Sequence, residues 1–378
     1  MNKTLLILVS HVSFFISHRL DLAITAKNMG YNVIVAFGEL DADIKRLTDR
    51  GIDSFHTPIQ RGGTNFLKDL KSLYSIWSLF RKVRPDIVHL VTIKPYLYGG
   101  IIARLTRVSC VVSAVSGLGS VFIHKDFRSR FLRLLLYPIY KLAFNHFNQR
   151  VIVQNKEDAK VLVELGVLNS QKIRLIKGSG ARLEEFTQLD EPDGIPVVCF
   201  AGRLLYDKGI YDFVAAVRLL KKRGVQARFC LAGDLDIKNP TGLNIEDLNS
   251  LREDKNIEVL GFKKNIATLY AKAHIICLPS YREGLPKSLI EAAAASRSIV
   301  TTDVPGCRDA IIPNKTGLLV PVKNPEKLAD ALQWLIEQPQ ERIAMGKAGR
   351  QLAEREFRIE KIIKDHLDIY QDLLANIL

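Results

Sequence analysis

The sequence has no long uninterrupted apolar run of the kind that crosses a membrane. The stretch Lys3–Ile16 is interrupted by His11 and is followed by no small-x-small cleavage site, so we predict a first buried strand rather than a signal peptide. Val108–Ile123 is uncharged but contains two glycines and four serines, which makes it a poor membrane span. Any membrane contact is therefore expected to be peripheral.

Cysteine is also scarce, with five residues among the 378 of the chain. No two of them have the Cys-x-x-Cys spacing, and most lie inside apolar runs. Such cysteines are typical of reduced core residues in a cytoplasmic protein. They are Cys110, Cys199, Cys230, Cys277 and Cys307.

Acidic side chains are few in one half of the chain only. Residues 1–187 hold 27 Lys and Arg against 14 Asp and Glu, a net charge of +13, whereas residues 188–378 hold 27 against 26, a net charge of +1. A one-sided basic surface attracts polyanions, which here means an anionic membrane leaflet, a diphosphate-bearing substrate or nucleic acid. Solvated surface charge with no partner is the alternative explanation.

Short apolar runs alternate with longer segments of helical period, the pattern of βα units around parallel sheets. Candidate strands of the first half are Leu5–Ser10, Asn32–Phe37, Asp53–Pro58, Ile87–Val91, Cys110–Val115 and Arg150–Gln154. A second series follows the acidic, turn-rich segment Gln188–Pro196. It comprises Val197–Ala201, Ala227–Ala232, Ile257–Leu260, His274–Leu278, Ser298–Thr302 and Gly317–Val320.

These two series predict an α/β protein of two doubly wound Rossmann-like domains that face each other across a cleft. The length and the hydrophobic content of 47% suffice for two cores, which we assign to residues 1–187 and 188–357. The helical segment from about 358 to 378 is expected to pack back on the first domain. Ligands of such sheets bind at the carboxyl ends of the strands, so functional residues are expected in strand-to-helix loops.

The strongest motif runs from Glu283 through Gly284, Leu285 and Pro286 to Glu291, directly after a predicted strand. Proline is favoured in the first turn of a helix, and the backbone N–H groups there, with the helix dipole behind them, form a cradle for a diphosphate. Glu291 can accept hydrogen bonds from two ribose hydroxyls, and Glu283 can reach hydroxyls of a transferred sugar. A helix start with one Glu near the helix dipole and another on the helix surface is the alternative. The buried strand before the motif and the small residues Ala292–Ala295 after it favour a site.

A second motif lies at the end of the first strand of the second domain, where Gly202 precedes Arg203 and Lys208. A glycine lets a ligand approach the backbone, and two cations five residues apart on one loop can hold a diphosphate. They would also stabilise charge on a departing nucleoside diphosphate. Surface charge is the alternative for the pair taken alone.

With both motifs, the sequence resembles the family 4 retaining glycosyltransferases of GT-B fold over nearly its whole length. The similarity points to the bacterial capsule, O-antigen and protein-glycan transferases that extend polyprenyl-diphosphate-linked sugars. It implies that the C-terminal domain binds a nucleotide-sugar and the N-terminal domain binds the acceptor. Arg203 and Lys208 match the diphosphate-binding cations, Glu291 matches the ribose-binding carboxylate, and Glu283 matches the donor-sugar contact. Thr302–Gly306 matches a recurring loop of the family.

The first domain resembles the same subgroup at two loops, Val88–Gly99 and Val115–Gly119. Many relatives carry a His where Ser116 aligns, so no catalytic His is assigned there. The glycine-rich first loop of many relatives is replaced by residues 13–19, and a structural role is the alternative for the His of that segment. Candidates for acceptor or phosphate contacts are His18, Arg19, Lys94, Ser116, Gly117 and Gly119.

Asp234-Leu-Asp236 has the form of a divalent-ion motif found in the other large glycosyltransferase fold. Here it follows a predicted strand end, where Asp commonly serves as a turn or cap residue. We favour that structural role, and we expect no obligatory metal and no cofactor beyond the nucleotide-sugar substrate.

The segment His124–Asn148 mixes basic residues with aromatic and leucine side chains. This mixture suits an interfacial helix on anionic lipid, and a core helix with a basic exposed edge is the alternative. The charge distribution and the lipid-linked acceptors that the resemblance implies favour the membrane. The basic residues of this cluster are Lys125, Arg128, Arg130 and Arg133.

The sequence thus predicts hexosyl or N-acetylhexosaminyl transfer from a UDP-sugar to a polyprenyl-diphosphate-linked saccharide, with retention of configuration, at the inner face of the cytoplasmic membrane. A non-hydrolysing UDP-sugar epimerase shares the two-domain plan but needs several acid/base groups around the sugar, of which Glu283 alone is evident. A nucleic-acid-binding protein would account for the basic half, but the sequence contains no recognisable nucleic-acid module.

Overall fold

The computed structural model describes residues 3–40, 42, 44–60, 65–118, 127–187, 190–237 and 239–377, without the side chains of residues 127–132, 134 and 135. The chain divides into two compact units. The first comprises residues 1–177 with 362–378, and the second comprises residues 178–361. Each unit is built around its own parallel sheet.

The first unit contains a seven-stranded parallel sheet of order β3-β2-β1-β4-β5-β6-β7. Its elements are β1 Thr4–His11, α1 Val12–His18, α2 Leu20–Asn28, β2 Asn32–Glu39, α3 Lys45–Thr48, β3 Asp53–His56, α4 Phe66–Val83, β4 Ile87–Val91, α5 Ile93–Leu105, β5 Cys110–Val115, α6 Phe127–Ala143, β6 Gln149–Val153, α7 Lys156–Glu164 and β7 Ile173–Leu175. All six predicted strands are present. The additional strand, β7, is three residues long and lies at the sheet edge, too short to show a hydrophobic period.

The second unit contains a six-stranded parallel sheet of order β10-β9-β8-β11-β12-β13, which confirms the six strands predicted for this half. Its elements are β8 Val197–Ala201, α8 Ile210–Lys222, β9 Arg228–Ala232, α9 Ile245–Glu253, β10 Glu258–Gly261, α10 Ile266–Ala271, β11 Ile275–Leu278, α11 Lys287–Ala294, β12 Ser298–Thr302, β13 Gly317–Val320, α12 Pro325–Glu337 and α13 Pro339–Glu356. A final helix, α14, spans Ile359–Ala375.

The order of strands reverses beside the first strand of each half. In the first unit β1 lies between β2 and β4, and in the second unit β8 lies between β9 and β11. Such a reversal opens a crevice at the carboxyl ends of the two flanking strands, where ligands of open α/β sheets bind. The loops that follow β1 and β4 in one unit, and β8 and β11 in the other, are therefore the places to look for a site.

The first unit is completed by α14, which follows the second unit in the chain. Ile362, Leu367 and Leu373 are buried in one core with residues of β1, β2 and β4. The observed division at residue 177 lies ten residues before the one expected at 187, because Leu183 and Phe186 pack in the core of the second unit.

All five cysteines are buried free thiols, as expected for core residues. Burial raises the pKa of Cys307 to about 12 and that of Cys230 to about 11, so these thiols stay protonated at neutral pH. No helix among the described residues combines the length and the apolar character that a membrane span requires.

Candidate active site

The Glu283–Glu291 motif forms the connection between β11 and α11, as the sequence predicts. Helix α11 begins at Lys287, and Pro286 is its N-cap with φ −71° rather than a residue of its first turn. The difference is one position, because a proline fits both places: its fixed φ suits the helix entrance, and its missing N–H leaves no hydrogen bond unmade. Glu291 lies one turn inside the helix and is half-buried.

Glu283 is held by two neighbours. The Lys208 ammonium forms an ion pair and hydrogen bond with its Oε1 atom, and the Ser280 hydroxyl donates to the same oxygen over 2.8 Å. The Lys208 and Glu283 side chains are 18% and 12% exposed, so the pair is largely withdrawn from solvent. The structure therefore brings together one predicted residue from each of the two motifs, and adds Ser280 from the end of β11.

The two motif loops approach each other at the level of the backbone. Gly209 has φ +72°, and a Cβ atom there would lie 2.0 Å from the carbonyl oxygen of Pro279. The Tyr281 N–H donates a 2.8 Å hydrogen bond to the carbonyl oxygen of Asp207, and the Ser280 Oγ atom lies 3.0 Å from the same carbonyl oxygen. Only glycine fits at position 209 without displacing one of the loops. Lys208 is therefore fixed beside Glu283 by contacts that do not involve its own side chain.

The loop Thr302–Gly306, which the sequence comparison with the family singled out, supports the other side of Glu283. Gly306 has φ +80°, and a Cβ atom there would lie 2.4 Å from the carbonyl oxygen of Gly284 and 2.6 Å from that of Glu283. The Thr302 hydroxyl donates to the carbonyl oxygen of Ser280. Three loops that follow β8, β11 and β12 thus meet at the carboxyl edge of the second sheet.

Glu291 pairs with the residue one turn before it. The Lys287 ammonium lies 3.4 Å from its Oε1 atom, and the Glu291 side chain is 13% exposed. Burial raises the pKa of Glu291, and Lys287 opposes that shift. A carboxylate in this setting lacks much of its hydration, so it gains from any hydroxyl that donates a hydrogen bond to it.

Arg203 does not join the Lys208–Glu283 pair. Its guanidinium binds the Asp236 carboxylate at 2.7 Å, and its side chain is 52% exposed. Asp236 was predicted as a turn or cap residue, and its ion pair with Arg203 was missed because 33 residues separate the two in sequence. Asp234 does accept a hydrogen bond from the N–H of Leu235, as a turn residue would. Among the described residues there is no group of three or more His, Cys, Asp or Glu arranged to hold a metal ion.

In the first unit, the candidate loops follow β1, β4 and β5, which are neighbours in the sheet. The Lys94 ammonium pairs with the Asp69 carboxylate of α4 at 2.8 Å, with side chains 14% and 21% exposed. Ser116 and Gly117 directly follow β5 and are half-buried, and Gly117 has φ +127°. Gly119 lies outside the described residues.

The segment that replaces the glycine-rich loop is the helix α1. His18 ends it, with its ring stacked on Phe14 at a centroid distance of 4.1 Å. Arg19 is 3% exposed and donates to the carbonyl oxygen of His18, and burial lowers its pKa to about 10. Arg19 therefore lies in the interior of the first unit, away from solvent.

The basic cluster proposed for membrane contact begins with Lys125, which lies outside the described residues. Residues 127–143 form the helix α6, but the side chains of Arg128 and Arg130 are likewise outside what the structure describes. Arg133 is half-buried on this helix.

Comparison with known proteins identifies the family. A profile described as glycosyl transferase 4-like matches residues 4–155, and one described as glycosyl transferases group 1 matches residues 181–352. The chain is similar to the N,N'-diacetylbacillosaminyl-diphospho-undecaprenol alpha-1,3-N-acetylgalactosaminyltransferase of Campylobacter jejuni, at 27% identity over 98% of this chain and 99% of that protein. It is also similar to the UDP-Gal:alpha-D-GlcNAc-diphosphoundecaprenol alpha-1,3-galactosyltransferase of Escherichia coli, at 24% identity over 87% and 86%.

Among solved structures, the sucrose-phosphate synthase of Thermosynechococcus elongatus matches with a TM-score of 0.80 at 20% identity, over 99% of this chain and 100% of that one. The fold, the two successive family matches and the two relatives agree with one another. The chain therefore belongs to the glycosyltransferases of GT-B fold, with a glycosyl transferase 4-like region followed by a glycosyl transferases group 1 region.

Proposed function

We propose that this enzyme transfers a hexose or N-acetylhexosamine from a UDP-sugar to a hydroxyl of a polyprenyl-diphosphate-linked saccharide, with retention of configuration and without a metal ion. The observation that carries the proposal is the convergence of Lys208, Ser280 and Glu283 at the start of α11. Two relatives, matched over 99% and 86% of their own lengths, have names that specify diphospho-undecaprenol-linked acceptors, which supports the acceptor class, and one of those names specifies UDP-Gal as the donor.

The donor would lie along the carboxyl edge of the second sheet, in the domain assigned to residues 188–357. Lys208 and Arg203 would contact the diphosphate, with Gly202 and the Gly284–Pro286 backbone close to it. Glu291 would accept hydrogen bonds from the ribose hydroxyls, because its carboxylate is partly desolvated and lies one turn inside α11. Glu283 would bind hydroxyls of the transferred sugar and keep Lys208 oriented.

For the chemical step, the acceptor hydroxyl oxygen bonds to the anomeric carbon while the bond from that carbon to the diphosphate oxygen breaks. The hydroxyl proton passes to the departing diphosphate, so no protein base is required. Lys208 and Arg203 stabilise the negative charge that develops on the diphosphate, and the loops hold the reactants in position. Attack on the same face that the diphosphate leaves accounts for retention.

The acceptor side is assigned to residues 1–187. Lys94, Ser116 and Gly117 follow neighbouring strands of the first sheet, which suits contact with one extended ligand. Lys94 would bind phosphate or saccharide oxygens, and His18 stays a candidate for the same ligand. We expect the protein to work as a peripheral protein at the inner face of the cytoplasmic membrane, where such acceptors are anchored.

A nucleotide-sugar panel tests the donor assignment. A ligand that binds only the folded protein raises the melting temperature, so a UDP-sugar should do so where GDP- and ADP-sugars do not. Transfer to a polyprenyl-diphosphate disaccharide is then followed by mass spectrometry, and the anomeric configuration of the product by NMR. An inverted linkage, or a sugar epimer released without acceptor, would contradict the proposal; the second result would point to the epimerase reading that the named relatives disfavour.

A further inference from the structure

Helix α4 carries large apolar side chains on its outer surface. Intervals of four, four and three residues place Phe66, Leu70, Tyr74 and Trp77 on one stripe of the helix, which we call the α4 stripe. Their exposed fractions are 76%, 46%, 69% and 40%, respectively. A different face of the helix, which includes Ile76, is buried in the core. The α4 stripe is therefore additional to the apolar face that folding requires.

Basic side chains lie along the same helix as the α4 stripe and at its C-cap. Residues 66–84 hold five Lys and Arg against one Asp, and that Asp69 already pairs with Lys94 at 2.8 Å. The first unit as a whole, residues 1–177 and 362–378, holds 27 Lys and Arg against 15 Asp and Glu, a net charge of +12. The exposed basic residues of this segment are Lys68, Lys71, Arg81, Lys82 and Arg84.

We propose that the α4 stripe is a docking surface for an anionic lipid bilayer. Tyr and Trp favour the boundary between headgroups and acyl chains, where Tyr74 and Trp77 would lie side by side; their ring centroids are 5.8 Å apart. Leucine and phenylalanine supply apolar area below that level, and the flanking lysines and arginines attract acidic headgroups. A second copy of the chain fits less well, because it would place the same five basic side chains opposite one another.

The inference deepens the proposed function and rests on it for the acceptor, because it concerns where a polyprenyl-anchored substrate meets the enzyme. The Asp69–Lys94 ion pair joins the first turn of α4 to the first turn of α5. Lys94 lies where the short loop after β4 enters α5, in the segment Val88–Gly99 assigned to the acceptor. A bilayer bound to the α4 stripe would therefore lie next to that loop, within reach of a diphosphate that emerges from the membrane surface.

Vesicle binding tests the surface with a matched pair of variants. Phe66→Ser/Leu70→Ser removes one phenylalanine and one leucine from the stripe, and Leu105→Ser/Phe147→Ser removes the same two types, 69% and 78% exposed, elsewhere on the first unit. On vesicles containing phosphatidylglycerol, the stripe variant should partition at least about tenfold more weakly than wild type, a factor that corresponds to about 1.4 kcal/mol. The control should bind as wild type does. Equal loss in both variants, or loss only in Arg128→Glu/Arg130→Glu/Arg133→Glu on α6, would overturn the assignment.

The two tryptophans provide a readout at the surface itself. Trp334→Phe leaves Trp77 as the single tryptophan of the chain. Its emission should shift to the blue with phosphatidylglycerol vesicles, be quenched by brominated lipid, and respond little to pure phosphatidylcholine. High salt should weaken the effect. An unchanged emission would overturn the proposal, and so would a blue shift that depends on protein concentration without lipid, since that result would indicate self-association.

The same proteins separate this inference from the proposed function. With a short-chain, water-soluble acceptor, the stripe variant should keep wild-type turnover and wild-type UDP binding, because docking is then not needed. Vesicle binding through α4 without any glycosyl transfer would support the docking surface and contradict the proposed reaction. Glycosyl transfer without a change in Trp77 emission on lipid vesicles would contradict the docking surface and support the proposed reaction.

Discussion

Replacement of Gly306 by alanine tests whether the loop after β12 positions the catalytic residues. The added Cβ atom would lie 2.4 Å from the Gly284 carbonyl oxygen and 2.6 Å from that of Glu283. An ordinary contact needs about 3.5 Å, so one loop must move by about 1 Å. Displacement of a catalytic group by that distance can lower the rate by about a hundredfold. We expect Gly306→Ala to lower kcat by roughly ten- to a hundredfold.

Stability must be separated from positioning, and Gly224 provides the control. It has φ +76°, close to the +80° of Gly306, but a Cβ atom there meets nothing within 4 Å. Both variants carry the cost of a left-handed backbone at a residue with a side chain, about 1–2 kcal/mol, which corresponds to a fall in Tm of roughly 2–8 °C for units of this size. Only Gly306→Ala should lose turnover. Wild-type kcat in Gly306→Ala, or an equal loss in Gly224→Ala, would refute the positioning argument.

Four further predictions follow from the site and the interior. Glu291→Gln should weaken UDP binding by roughly 10- to 150-fold, measured by calorimetry, because a charged acceptor worth about 1.5–3 kcal/mol is lost. The same variant should not lower Tm at pH 7. Burial raises the pKa of Glu291 in the folded protein, so its ionised carboxylate destabilises the fold at any pH above the pKa of a glutamate in the unfolded chain. Lys208→Ala and Arg203→Ala should each reduce kcat by about a hundredfold. Near-normal turnover of either variant would show that the replaced cation does not stabilise the leaving diphosphate. EDTA should leave activity intact, and loss reversed by Mg²⁺ or Mn²⁺ would contradict metal independence. Burial lowers the pKa of His366 to about 3, beside the Arg19 cation, so stability should fall as pH drops from 6.5 towards 3, and His366→Phe should flatten that dependence in urea titrations.

The second half of the site was predictable from sequence because its parts are local. The strand β11, the proline before α11 and the two glutamates lie within 17 residues, so the strand-to-helix geometry follows from short-range rules. The contact between Lys208 and Glu283 follows from the neighbouring positions of β8 and β11, which the two-domain prediction implies. Sequence could not show that Ser280 completes the cluster, since a serine at a strand end has many possible partners.

The sequence did not predict other contacts between residues that are far apart in the chain. Arg203 was grouped with Lys208 by spacing, but the turn between them points Arg203 to Asp236. Arg19 looks like a surface cation in sequence, but it is buried beside Tyr370 of α14, which lies 351 positions further along the chain. Nothing in the local pattern around Arg19 indicates that partner. The α4 stripe was also missed, because its apolar residues resemble a second core face until the packing shows that they are left outside.

The return of α14 to the first unit constrains how the protein is made. Its buried residues, among them Ile362 and Tyr370, leave the ribosome only after the whole second unit has been synthesised. Until then, apolar side chains of β1 and β2 and the buried His89 lack their cover. A nascent chain released at residue 361 would hold a complete second unit and an unfinished first one. Its exposed core would make it a substrate for chaperones and proteases. These would recognise the unfinished first unit, although the missing segment follows the second unit in the chain.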